Sequence, residues 1–168
     1  MTEPTITRAT EADLPFVMAT ERREGYGALV GRWEESRHRA ALRDGRHAYV
    51  IGHAGADPIG FAILRDWASE ERVTLIKRIA VRDPGQGWGR RFLARVVEAA
   101  FHETPAHRLW LGVFPENLRA RRAYEAAGFV AEGVARGSAF FGGIHRDELI
   151  MAILRPDWEA ARGVHPAA

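Results

Sequence analysis

The chain predicts a single-domain α/β (α+β) protein, a mixed sheet with helices packed on it. Three observations lead there. A length of 168 residues suits one domain with a sizeable core. Hydrophobic residues make up 46% and charged residues 27%, the balance of a globular protein rather than a disordered or fibrous one. Capping, turn and periodicity signals order the elements as strand, two helices, three strands, helix, strand, helix and two strands. No repeat, low-complexity stretch or linker divides residues 1–168; 4–155 read as the ordered core and 156–168 as a C-terminal tail.

Pro4–Ala9 reads as a short strand. Thr10 then caps a helix and Asp13 answers it three residues later; this helix is expected to reach Arg23, before Gly25-Tyr26-Gly27. A second helix is expected over Arg32–Arg43, closed by Asp44-Gly45. His47–His53 and Ile59–Leu64 form a hairpin about the turn cluster Gly55-Ala56-Asp57-Pro58. Arg72–Val81 is a third strand whose alternation is imperfect at Ile76 and Lys77, as a strand buried on both faces tolerates. Phe92, Leu93, Val96, Val97, Ala100 and Phe101 recur at helical spacing and predict a core-facing helix over Gly87–His102. Arg108–Phe114 is the next strand. Leu118–Ala127 is the next helix, between Asn117 as cap and Gly128 as stop. Phe129–Ala135 and Glu148–Leu154 close the order as strands around a loop holding Gly137, Gly142 and Gly143.

Composition removes several classes of function. There is no cysteine, which excludes disulfides, thiolate metal sites and a cysteine acyl intermediate; no metal is expected. Met1–Thr10 is polar with both charge signs, unlike a signal or transit peptide, and no apolar run approaches a membrane span, so no membrane partner and residence in the cytoplasm are expected. Lys77 is the only lysine among 24 basic residues, and 22 acidic residues balance them. With no groove-reading motif, no nucleic-acid partner is expected.

Two helix starts invite an anion. In Asp83-Pro84-Gly85-Gln86-Gly87-Trp88-Gly89-Arg90-Arg91, three alternate glycines let a ligand approach backbone N–H groups at the start of a helix. Arg90 and Arg91 stand where a cation opposes the helix dipole, which a bound anion would offset. The spacing is neither that of a Walker loop nor the usual dinucleotide spacing. The second start, Pro115-Glu116-Asn117-Leu118-Arg119-Ala120-Arg121-Arg122, repeats the crowd of arginines. Tyr124, seven residues after Asn117, lies on the same helix side as the cap.

Asp83–Arg91 resembles the pyrophosphate-binding motif of the GNAT family of N-acetyltransferases, and Asn117–Phe129 resembles that family's second acetyl-CoA motif. Gly133–Arg155 is similar to the branch that includes ribosomal-protein N-terminal acetyltransferases. Pro84 departs from the Arg or Gln that opens many such loops, with Gln86 directly before Gly87, so the loop would hold pyrophosphate chiefly through backbone N–H groups and Arg90. The resemblance implies a mostly antiparallel sheet splayed between its fourth and fifth strands, with acetyl-CoA in the gap as co-substrate. It assigns binding to Ile79, Ala80, Val81, Gln86, Gly87, Trp88, Gly89, Arg90, Asn117, Arg121 and Tyr124. It implies direct attack by a primary amine, with Tyr124 as the acid that protonates the leaving thiolate.

The base stays open. Asp66, Glu70, Glu71, His145 and Asp147 are candidates, each also read as surface charge, and no Glu occurs in Val73-Thr74-Leu75-Ile76. Trp33, His38, Trp67, Phe140 and Phe141 are candidate walls for a small-molecule, peptide or protein amine. A homodimer is an assembly this reading allows. A non-catalytic acyl-CoA-binding or regulatory domain of the same fold is the alternative.

Overall fold

The computed structural model describes residues 3–163. In chain order it contains β1 (Thr5–Arg8), a 3-10 turn (Glu11–Asp13), α1 (Leu14–Glu21), α2 (Glu35–Arg43), β2 (His47–Ala54), β3 (Asp57–Arg65), β4 (Val73–Val81), α3 (Trp88–Glu103), β5 (Arg108–Val113), α4 (Leu118–Ala126), β6 (Val130–Phe141), β7 (Ile144–Leu154) and α5 (Arg155–Ala161). One seven-stranded sheet runs β1-β2-β3-β4-β5-β7-β6. Every neighbouring pair is antiparallel except β4 and β5, which are parallel. The mixed sheet flanked by helices is the expected fold class.

Each face of the sheet carries its own core. The stripe of α3 packs as predicted against Val50, Leu64, Ile76, Leu109, Leu111 and Met151. On the other face Leu14 and Val17 of α1 and Ala41 of α2 meet Tyr49, Ile51, Phe61, Ile63 and Ala80. Each large side chain buried in this way contributes about 1.5–3 kcal/mol.

Four expectations change in detail. The Thr10–Asp13 box forms, with the Thr10 N–H donating to Asp13 Oδ2 at 2.7 Å, but it opens a 3-10 turn, and α1 ends at Glu21 rather than Arg23. The second helix starts at Glu35, not Arg32, because the backbone before it is held elsewhere: the Trp33 N–H donates to Glu21 and the Trp33 carbonyl accepts from Arg22. The closing strands are longer than expected, since Gly142 and Gly143, both at positive φ, make the hairpin turn and Gly137 sits in a bulge. Gly137 donates its N–H to Asp147 there, so a glycine read as loop is an irregularity inside a strand. Lastly, part of the expected tail is α5, whose Trp158 ring lies 5.1 Å from that of Phe101; residues 164–168 of that tail lie outside the described residues.

The uneven alternation of the fourth strand has a local cause. Ile63 opposes Arg78 and Leu64 opposes Ile76, so Lys77 is the extra residue of a β-bulge, and side chains on either side of it are rephased.

A buried polar cluster joins α1, α2 and the sheet. Glu21 and His38 are fully buried and Arg78 nearly so. Glu21 accepts from His38 Nε2 (3.1 Å), Arg78 Nη1 (2.7 Å), Arg22 Nη1 (2.6 Å) and the Trp33 N–H (3.1 Å), while His38 Nδ1 meets the Tyr49 hydroxyl at 2.9 Å. Burial alone would raise the Glu21 carboxyl, but the His38 hydrogen bond, the Arg78 charge and the Trp33 N–H outweigh it and hold it below the usual range. A depressed carboxylate stabilises the fold above its unfolded pKa, and that contribution is lost as pH falls through the folded value. Glu21→Ala is therefore expected to cost about 3–5 kcal/mol by stranding the Arg78 charge, lowering the melting midpoint by about 10 °C. Calorimetry would also show wild type losing stability on acidification from pH 5 more steeply than the variant; parallel pH curves would refute the role given to Glu21.

Candidate active site

β4 and β5 pair only at Val73–Arg108, Thr74–Leu109 and Leu75–Trp110. Past those pairs the strands part, and a cavity of about 770 Å³ opens between Ile76–Val81 on one side and Leu111–Phe114 on the other. Parting is possible because each strand keeps an antiparallel partner on its far side, β3 for β4 and β7 for β5. The inward edges of both strands thus offer backbone groups to a ligand instead of to each other.

The glycine turn closes one end. Gly85 and Gly87 take φ of 89° and 77°, where a Cβ would be strained. Gly87 is the N-cap of α3 and has no side chain to bond the first-turn N–H groups. A Cβ at Gly85 or Gly89 would meet no atom within 4 Å, so the backbone there is open to an incoming group. Arg90 lines the cavity, whereas Arg91 turns back over the Trp88 ring (5.2 Å) and donates to Glu3. At the second helix start the Asn117 side chain accepts from the Ala120 N–H at 3.3 Å, the expected cap. An anionic pyrophosphate fits these two starts by charge and by exposed donors.

Of the expected binding residues, Ile79, Ala80, Val81, Gly87, Gly89, Arg90, Asn117 and Tyr124 line this one cavity. Gln86, Trp88 and Arg121 do not. Gln86 is exposed, Trp88 packs against the core beneath α3, and Arg121 folds back to donate to the Pro115 carbonyl at 2.9 Å. Arg119, two residues earlier on α4, supplies the cation at the wall instead. The Val81 carbonyl accepts from the buried Tyr26 hydroxyl at 2.8 Å, which seats the loop after α1 against the end of β4.

Tyr124 is partly buried against the core, its ring 6.0 Å from that of Phe129. Its hydroxyl makes no hydrogen bond among the described residues, and burial pushes its pKa up to about 12. The phenol accordingly keeps its proton at neutral pH.

Three features escaped the sequence. Glu148 on β7 lies over Gly112 of β5, so close that a Cβ at Gly112 would stand 2.5 Å from its Oε1; Ser138 donates to Oε2 at 2.8 Å. Glu148 lines the cavity, while Asp66, Glu70, Glu71, His145 and Asp147, the candidates named from the sequence, do not. Arg146 spans the rim: it donates to the Ala28 carbonyl at 2.8 Å, pairs with Glu116, and stacks over Phe114 at 3.6 Å. Arg78 rests on Trp33 at the opposite wall (4.8 Å). Of the expected acceptor walls, Trp33, Phe140 and Phe141 line the cavity, but His38 is sealed behind Trp33 and Trp67 lies under Arg8.

The split sheet, the two helix starts and the protonated phenol thus converge on one cavity. A model of the Acetyltransferase (GNAT) family matches residues 11–129, and the chain belongs to that family. It is 43% identical over 75 residues to "Probable N-acetyltransferase YjcK" of Bacillus subtilis, a match covering 45% of this chain and 41% of that protein. It is 34% identical over 77 residues to the spermidine N(1)-acetyltransferase of Vibrio cholerae, covering 46% and 44% respectively. The match thus spans less than half the length of either curated relative. The crystal structure of the V. cholerae spermidine N-acetyltransferase in complex with CoA and spermine superposes with a TM-score of 0.78 at 21% identity, over 93% of this chain and 98% of that one. At that identity the likeness is one of fold.

The glycine turn is directly testable. Gly89→Val fits the folded turn, since its Cβ has open space and needs no left-handed backbone, but it blocks approach to the α3 N–H groups. Wild type is expected to gain thermal stability with acetyl-CoA, by about 2.7 kcal/mol at a hundredfold excess over Kd, and Gly89→Val to lose that gain while melting normally alone. Equal ligand shifts in both proteins would exclude the turn as the binding site.

Proposed function

We propose that this chain, as one domain over residues 1–168, moves the acetyl group of acetyl-CoA to a primary amine by direct attack. The observation that carries the reading is the phenol of Tyr124, proton-bearing and with no hydrogen-bond partner among the described residues, in the wall of a cavity whose mouth is formed by two cationic helix starts. Gly87, Gly89, Arg90 and Arg119 hold the pyrophosphate, and the edge of β4 at Ile79–Val81, released from β5, meets the pantetheine arm. The coenzyme supplies an activated thioester. Tyr124 gives its proton to the departing sulfur, and the apolar wall of Leu93, Leu111 and Val113 keeps water from competing. Residence in the cytoplasm belongs to the same reading. The non-catalytic binding domain is disfavoured because a structural tyrosine at this depth would use its hydroxyl.

The outer strand pair suggests the assembly. Val130, Val134, Phe140 and Ile144 are large apolar residues exposed on β6 and β7, at the sheet edge. A second copy covering them as a homodimer accounts for that exposure. Light scattering is expected to give twice the mass of an 18.7 kDa chain, and a monomer at micromolar concentration would end this assignment.

Tyr124→Phe removes one oxygen and should leave the fold and the acetyl-CoA thermal shift intact. The single-turnover rate of acetyl transfer is expected to fall by about 10²–10⁴-fold, the usual contribution of a general acid. A Phe variant as fast as wild type would make Tyr124 a packing residue.

A further inference from the structure

Among the described residues, the charged side chains lining the cavity comprise six cations, Arg32, Arg37, Lys77, Arg78, Arg90 and Arg119, and one carboxylate, Glu148. They divide by position. Arg90 and Arg119 stand at the two helix starts, at the Val81 end of β4. Lys77 lies four residues back along β4, about 13 Å away at the usual strand rise, and its charged neighbours are Arg65, Arg78, Glu148 and Arg37. The far end of the cavity therefore has its own electrostatics.

That end is built rather than incidental. Lys77 is the bulge residue of β4, turned out of the regular pleat beside the gap. Its side chain is solvent-exposed, yet desolvation first, and then the Arg65 and Arg78 charges, hold its pKa below the ordinary lysine range, with Glu148 opposing. Arg37 stacks on Trp33 at 4.2 Å. Arg78 on the same ring is neutralised by Glu21 at 2.7 Å. Arg37 and Lys77 make no ion pair among the described residues. Glu148 enters the cavity only because Gly112 leaves it room, and Ser138 fixes one of its oxygens at 2.8 Å. A lone carboxylate facing unpaired cations matches a ligand of mixed charge, positive at one point and negative at another.

We infer that the acceptor is a primary amine carrying its own carboxylate or phosphate, with Glu148 receiving the amine while Lys77 and Arg37 receive the anion; this rests on the acetyl-transfer reading above. In the reaction the N–C bond forms as the C–S bond breaks, the amine proton passes to Glu148, and the sulfur takes its proton from Tyr124. A polyamine, by contrast, brings further positive charge against Lys77 and Arg37 and is rejected.

The test is thiol release from acetyl-CoA with the full chain against glutamate, phosphoethanolamine, a dipeptide with an acidic second residue, spermidine and benzylamine. The acidic amines are expected to give the highest kcat/KM, and whichever acidic amine leads identifies the source of the anion. Lys77→Gln and Arg37→Gln should each raise KM for the best acidic amine by about tenfold or more, as expected for a lost charged hydrogen bond, with KM for benzylamine unchanged. Glu148→Gln should lower kcat/KM for every amine. Higher kcat/KM for spermidine than for all acidic amines would overturn the inference and leave acetyl transfer standing. Thiol release with none of them would overturn acetyl transfer itself.

Discussion

Along Val73–Leu75 the fourth strand is hydrogen-bonded to the fifth, and from Ile76 onward it is not. Hydrogen-bonding groups removed from water must find partners, so two strands can part inside a sheet only if something else uses their inner edges. Here the Lys77 bulge rephases β4 where the pairing stops, Tyr26 takes up the Val81 carbonyl, and a cavity occupies the remainder. The glycine turn and the Asn117 cap border a cavity only because the strands leading into them have separated. With a continuous ladder, the same two helix starts would flank a closed sheet.

Holding that gap open requires rigid walls, and the buried Glu21 cluster supplies one of them. A single carboxylate gathers bonds from Arg22, Trp33, His38 and Arg78, joining the first helix, the loop after it, the second helix and the fourth strand. The loop contributes cavity wall from Tyr26 to Trp33. Its position is therefore set from beneath, by a charge that water does not reach, rather than by its own sequence preferences.

Much of this was legible in the residues. The α3 stripe has helical period, the Gly and Asn punctuation marks both helix starts, and the order of elements gave the sheet its class. What stayed hidden depends on pairs far apart in the chain. Nothing local in the sequence marks Glu21 for burial, and its partners His38 and Arg78, 17 and 57 residues away, meet it only in the folded chain. Glu148 reads as one more charge in His-Arg-Asp-Glu, and its relation to Gly112 exists only after β5 and β7 align. Gly137 and Gly142-Gly143 signal irregular backbone equally well, and register decides which is bulge and which is turn. Arg119 and Arg121 are equivalent by composition, and helix rotation separates the one that faces the gap from the one that closes its own turn.

Arg146 carries a consequence for the order in which the protein is built. Its guanidinium reaches back 118 residues to Ala28 and 30 to Glu116, gripping the loop after α1 and the turn before α4 from the final hairpin. Contacts of such sequence separation carry a larger loop-closure cost than local ones, and during synthesis Arg146 follows both of its partners. A nascent chain can complete both helix starts and most of the sheet without possessing a rim. The rim of the cavity is thus complete only once the last hairpin docks against the loop after α1 and the turn before α4.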